Sequence, residues 1–148
     1  MSLFKISAMS YILVILQIFF SGYIVLTNFR YALNFPWYFL IIVSSIPGIA
    51  GMVQMKSKLR MLPEPASDAV LLQDGIYKFI RHPMYLSVLL TTLVITLLNI
   101  NLFEVTAWLL LLITIIIKLN REESFLKEKF AEYTIYRNRT KALIPFII

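Results

Sequence analysis

A chain of 148 residues that is 59% hydrophobic and only 15% charged has room for one domain and is too apolar for an ordinary water-soluble one, where about 45–50% apolar and about 25% charged residues are usual. With no cysteine and a single histidine, thiol chemistry, disulfides and Cys-ligated metal are excluded, and no metal centre is expected. In such a chain the formal charge of +6 fits basic loops against anionic lipid head groups and not nucleic acid.

The first element follows Lys5. The run from Met9 to Leu26 is long enough to cross a bilayer, and no small-residue cleavage site ends it, so it reads as a retained span and not a signal peptide. Four such runs occur, at roughly 9–27, 36–54, 83–98 and 105–119. The last two lie near the lower limit of about 17 residues. They are expected to extend into their flanks, or to sit in a thinned or protein-lined region. All four are continuous and not alternating, which predicts helices and argues against a barrel. The expected fold is an all-α integral membrane protein with about four transmembrane helices and a cytoplasmic C-terminal amphipathic helix. All of it forms one domain, 1–148.

The second run carries Ser44, Gly48 and Gly51 at helical spacing beside Pro47, a face suited to close packing and a kink. After it, the polar connection 56–74 holds Pro63 and Pro65 and is long for so small a chain. Of the 14 Lys and Arg residues, all but Arg30 fall on one side when both termini are placed inside. That predicts a cytoplasmic N-terminus and C-terminus. The basic side then carries nearly all the material for a site.

Residues 75–90 read GIYKFIRHPMYLSVLL. Pro83 suits the first turn of a helix. Arg81 and Tyr85 have a bland reading, as a snorkelling cation and a member of an aromatic belt. Downstream, 119–136 treated as one helix puts Leu119, Phe125, Leu126, Phe130, Tyr133 and Tyr136 on one stripe. Glu122 then falls near the middle of that stripe and Glu123 at its edge. A carboxylate on an apolar face is costly without a cationic or hydrogen-bonding partner. Two readings stay open for the pair. They are members of a site, or they form the i,i+4 ion pairs Lys118–Glu122 and Glu123–Lys127.

Taken together, Gly75-x-Tyr77-x-x-x-Arg81-His82-Pro83-x-Tyr85 before a span, and Glu122-Glu123, Phe130, Tyr133-x-x-Tyr136-x-x-Arg139 and Leu143-Ile144-Pro145 after it, resemble one family signature. It is that of the isoprenylcysteine carboxyl methyltransferase and phospholipid methyltransferase group of integral membrane enzymes. The resemblance covers 74–145, and the N-terminal half carries no signature. Ile76, Ser87, Ala131 and Thr140-Lys141 depart from the family pattern and leave the subfamily open.

The resemblance implies methyl transfer from S-adenosylmethionine to a lipidic substrate at the cytoplasmic membrane face. It implies a cofactor site from Tyr77, Arg81, His82, Pro83, Tyr85, Glu122 and Glu123, within 73–85 and 119–145. Tyr133, Tyr136, Arg137 and Arg139 become candidate substrate ligands, and Arg137, Glu122 and His82 candidate catalytic residues. The chain has no G-x-G-x-x-G loop for a Rossmann-type cofactor site.

Carboxyl methylation of an isoprenylcysteine-like compound is the leading expectation. N-methylation of a phospholipid amine is the alternative, with His82 or Glu122 taking the proton. Further alternatives are an NADPH-dependent sterol-type reductase and a non-enzymatic protein that binds lipid or a partner. A prokaryotic plasma membrane suits the chain, and so would an endoplasmic reticulum membrane. No feature identifies a protein partner.

Overall fold

The structure, a computed structural model, describes residues 7–32, 36–55 and 70–143. Lys5, most of the 56–74 connection with Pro63 and Pro65, and Ile144-Pro145 lie outside the described residues. Among the described residues five α-helices occur: α1 Ala8–Ala32, α2 Trp37–Met55, α3 Pro83–Thr96, α4 Leu102–Lys129 and α5 Tyr133–Arg139. A 3-10 turn spans Gly75–Lys78. No strand is present among the described residues, only an isolated parallel bridge between Ile80 and Lys141.

Among the described residues three helices, α1, α2 and α4, are long and apolar enough to cross a membrane. The third expected span is shorter than the apolar run that announced it. α3 has 14 residues, so it is about 21 Å long, against a hydrocarbon layer of about 30 Å. It does not extend into its flanks. Instead it is the enclosed helix of the bundle, packed against α1, α2 and α4. It buries Leu86, Ser87, Leu89, Thr92, Ile95 and Thr96, and protein takes the place of lipid around it. Pro83 does open α3, with His82 at the N-cap.

The small-residue face of α2 packs on α3, its main partner. The Ser87 hydroxyl accepts from the Gly48 N–H at 2.6 Å and donates to the Ser44 carbonyl at 3.0 Å. In an unbroken helix those two backbone groups would bond each other. Ser87 is therefore inserted into the ladder of α2, next to Pro47, at a place where a side chain can open a helix. A Cβ on Gly48 would stand 2.8 Å from the Ser87 Cβ and Oγ, so only glycine fits. The apolar core lies deeper, between Ile24, Leu89, Ile95, Ala107, Leu111 and Ile115. At the far end Asn101 caps α4, and the Thr27 hydroxyl donates to Glu104 at 2.7 Å, tying α1 to the start of α4.

The fourth span and the beginning of the tail form one continuous helix. α4 has 28 residues, about 42 Å, so its last turns extend past a hydrocarbon layer. The expected helix over 119–136 does not form as one piece. It ends at Lys129, and Phe130 is extended (φ −118, ψ 112). No proline or glycine stands there, so the break is tertiary in origin. Tyr133 and Tyr136 turn into the bundle and are buried, and the Tyr136 hydroxyl donates to the Tyr77 carbonyl at 2.7 Å. A straight α4 would carry both tyrosines away.

Candidate functional site

The stretch that presents Arg81 and His82 is shaped by glycine and clamped by the tail. Gly75 has φ +56, a left-handed conformation open to glycine. The Gln54 side chain fills the space a Cβ would need, and its Oε1 accepts from the Ile76 N–H at 3.2 Å. After the 3-10 turn, 79–82 runs beside 141–142. Lys141 N–H donates to the Phe79 carbonyl at 3.1 Å, Arg81 N–H to the Lys141 carbonyl at 2.8 Å, and His82 N–H to the Ala142 carbonyl at 3.0 Å. Pro83 then begins α3, and Tyr85 follows on its first turn.

These segments place four ionisable side chains around two adjacent carboxylates. The inward stripe of α4, through Ala107, Leu111, Thr114, Ile115, Lys118 and Leu119, runs on to Glu123. Arg81 Nε donates to Glu123 Oε1 at 2.8 Å, and Arg137 Nε lies 3.1 Å from Glu123 Oε2. Arg81 Nη1 also donates to the Arg137 carbonyl at 3.1 Å, to Thr140 Oγ1 at 3.2 Å and to the Thr140 carbonyl. The Tyr85 hydroxyl donates to Glu122 Oε2 at 2.7 Å. His82 stands between the two carboxylates, with Nδ1 3.5 Å from Glu122 and Nε2 3.5 Å from Glu123. Its ring stacks on Tyr85, with centroids 5.4 Å apart and planes at 13°.

Burial alone would push the imidazole toward its neutral form. The charges and hydrogen-bonding oxygens of Glu122 and Glu123 outweigh that and hold the His82 pKa up at about 9. His82 is therefore a cation at neutral pH. Burial, and then the Glu122 charge, pushes the Tyr77 hydroxyl up to about 12. Tyr133 and Tyr136 are raised as well, by burial first. All three tyrosines act as neutral hydrogen-bonding groups.

Three neighbouring cavities share lining residues at and below this end of the bundle. One of about 230 Å³ is lined by Tyr77, Arg81, His82, Pro83, Tyr85 and Glu122, with Gln17, Lys118, Met52, Met55 and other apolar side chains completing it. A smaller one of about 70 Å³ shares Tyr77, Arg81, Glu122 and Met55, and adds Tyr133 and Tyr136. A third, of about 330 Å³, shares Met52, Met84 and Val88 with the first. It runs between α1, α2 and α3 along Ser45, Gly48, Ser87 and Thr91.

Most of the residues singled out in the sequence meet here. Tyr77, Arg81, His82, Pro83, Tyr85 and Glu122 line one cavity. Glu123 stands behind them, on Arg81, His82 and Arg137. It is the more buried of the two carboxylates, at 8% exposure, and not the edge residue its place on a 119–136 stripe implied. Of the two readings left open for Glu123, the i,i+4 ion pair with Lys127 gives way to these partners. Tyr133 and Tyr136 line the small cavity. Arg137 is half exposed at the rim. Arg139 is exposed at the end of α5, and no hydrogen bond or ion pair joins it to the cluster among the described residues. Lys118 and Gln17 were missed. Their signal was present, because each is a polar residue inside an apolar span, and such residues mark function by default.

A phospholipid methyltransferase family model matches residues 38–133, which is more than half of the chain. The match takes in α2, where the motifs carry no signature, and stops at Tyr133, short of Tyr136, Arg137 and Arg139. No curated protein matches, and no solved structure matches.

Proposed function

The chain belongs to the phospholipid methyltransferase family, and on that premise we propose that it transfers a methyl group from S-adenosylmethionine to the carboxylate of an isoprenylcysteine-like lipid. Its site is the 230 Å³ cavity at the basic end of the bundle. That end is read as cytoplasmic because the basic residues gather there. The observation that carries the reading is the meeting of Tyr77, Arg81, His82, Tyr85 and Glu122 on one cavity, from two stretches about 40 residues apart.

The residues present fit the cofactor. The Tyr133 hydroxyl, on the smaller cavity, is buried without a hydrogen-bond partner among the described residues, and it can donate to a bound molecule. Glu122 offers a carboxylate to hydroxyl or ammonium groups. Met52 and Met55 give a soft apolar wall. When bound, S-adenosylmethionine supplies a methyl already activated by its sulfonium. The protein's part is to position acceptor and methyl in line and to exclude water. A carboxylate acceptor needs no general base. That suits a site whose histidine is already protonated.

The family's own description favours a second reading, N-methylation of a phospholipid amine. In that case Glu122, and not the charged His82, takes the proton. Transfer of a labelled methyl group into prenylcysteine and aminophospholipid acceptors separates the two. Glu122→Gln, followed by calorimetry with S-adenosylhomocysteine, tests the site itself. Affinity should fall about tenfold, the loss of one charged hydrogen bond. Undiminished binding would remove Glu122 from the cofactor site.

A further inference from the structure

Glu104 is a buried ionisable group that the methyl-transfer site does not use. It is 2% exposed, in the first turn of α4, about 27 Å along that helix from Glu122. Its Oε1 accepts from the Thr27 hydroxyl at 2.7 Å, and Thr27 Oγ1 accepts in turn from Asn28 Nδ2 at 3.0 Å. Each end of this short chain leaves one oxygen over. Glu104 Oε2 and Asn28 Oδ1 are buried with no hydrogen-bond partner among the described residues. Asn28 is wholly buried, and its Nδ2 also donates to the Ile24 carbonyl at 3.0 Å. Both amide hydrogens are thereby used, which fixes the unused atom as the oxygen. The hydroxyl of Thr96, the last residue of α3, is a third buried group without such a partner. α1, α3 and α4 pack on one another, and these oxygens lie at the same end of all three.

Helix capping does not account for the carboxylate. Asn101 already caps α4, accepting from the Phe103 and Glu104 N–H groups at 3.0 and 3.1 Å. The positive end of α4 offsets only about half of one charge. No ion pair reaches Glu104 among the described residues, and Arg30, the basic residue at that end, is exposed. A buried carboxylate without a cation is costly, and within a membrane span such a residue marks a site by default. Water donating to these oxygens would leave the charge uncancelled. A carboxylate oxygen beside an amide oxygen is a donor set for a hard cation. One carboxylate balances one positive charge, and no group of three His, Cys, Asp or Glu side chains stands among the described residues to balance more.

We infer that Glu104 Oε2 and Asn28 Oδ1 bind one small monovalent cation, with Thr27 holding the two side chains in place. The ion joins α1 to the start of α4 and so stabilises the end of the bundle away from the cavity. The Thr96 hydroxyl brings a further oxygen from α3 to the same end. This site is separate from the methyl-transfer cavity and does not rest on that reading.

The test is thermal unfolding of the full chain in lipid nanodiscs, in sodium, potassium or choline chloride at equal ionic strength and fixed pH. Choline is too large to reach a pair of buried oxygens. A ligand present at ten times its Kd raises the midpoint of a chain of this size by about 3–5 °C. The wild type should show a rise of that order in sodium or potassium chloride over choline chloride. Glu104→Gln keeps an oxygen for Thr27 and removes the charge. In choline chloride it should melt at or above the wild type, because an unbalanced buried charge has gone, and it should gain almost nothing from either ion. Asn28→Leu keeps the charge and removes one ligand, so the same rise should need about tenfold more salt. A rise that is present in the wild type and lost in Glu104→Gln supports the inference. No rise in the wild type, or an equal rise in Glu104→Gln, overturns it. So does a wild-type stability that ignores the ions but falls as pH rises while that of Glu104→Gln does not, since that result puts a proton on Glu104 in place of the ion.

Discussion

The single histidine makes the charge of the site directly measurable. The two carboxylates beside His82 hold its pKa at about 9 against an ordinary 6.5, in spite of burial, which acts the other way. That displacement corresponds to about 3 kcal/mol favouring the protonated native form. The sign is set by the upward direction. The contribution is fully present below about pH 6.5, where folded and unfolded chains both hold the proton, and it is lost as pH rises through about 9. The chain labelled with 13C and 15N at histidine gives one imidazole signal, from His82. Its titration should have a midpoint near 9. Between pH 7 and 10 the wild type should lose about 2.5 kcal/mol more stability than His82→Gln, measured by denaturation in detergent. A midpoint at or below 6.5 would mean that Glu122 and Glu123 do not face the ring, and the site would have to be rebuilt.

Two substitutions test the framework. Gly48→Ala puts a methyl 2.8 Å from Ser87 and should destabilise the α2–α3 contact by about 1–3 kcal/mol, the usual cost of overpacking; thermal melting in detergent reads it. Arg81→Met removes the guanidinium that joins Glu123 to Arg137 and Thr140 and leaves a buried carboxylate short of a partner. It should cost about 3–5 kcal/mol and open the tail to proteolysis after Phe130, whereas an intact proteolytic pattern would show that Arg81 does not hold the tail.

The parts of this architecture carried by local pattern were legible before the structure. The apolar runs announce the membrane helices, Pro83 marks the start of α3, and the Arg-His-Pro and Glu-Glu stretches come together as their spacing around one helical hairpin requires. What was not legible depends on tertiary partners. Nothing near Phe130 announces a break, because α4 ends where Tyr133 and Tyr136 find the 3-10 turn. α3 stays short because three other helices enclose it, and no hydropathy pattern distinguishes a wall of protein from a wall of lipid. The burial of Glu123 escaped notice because its stripe was drawn through residues that lie on another helix. Ser87 shows the same limit, since its place in the ladder of α2 depends on a contact 39 residues away in sequence.

Adjacent positions on a helix point about 100° apart, and that separation divides the work of Glu122 and Glu123. Glu123 faces the tail, where Arg81 and Arg137 grip it. Glu122 faces the cavity, with Tyr85 on one oxygen. His82 lies between them with one nitrogen toward each, so it belongs to the tail contact and to the cavity at once. The backbone bonds from Arg81 and His82 to Lys141 and Ala142 have the same double character. They close the tail onto the bundle, and in closing it they set the ring between the two carboxylates that charge it. Docking of the tail and assembly of the site are therefore one event. A variant that loosens the tail without touching the cavity should lower the His82 midpoint, because the ring would move away from Glu123 while its burial continued to oppose the charge.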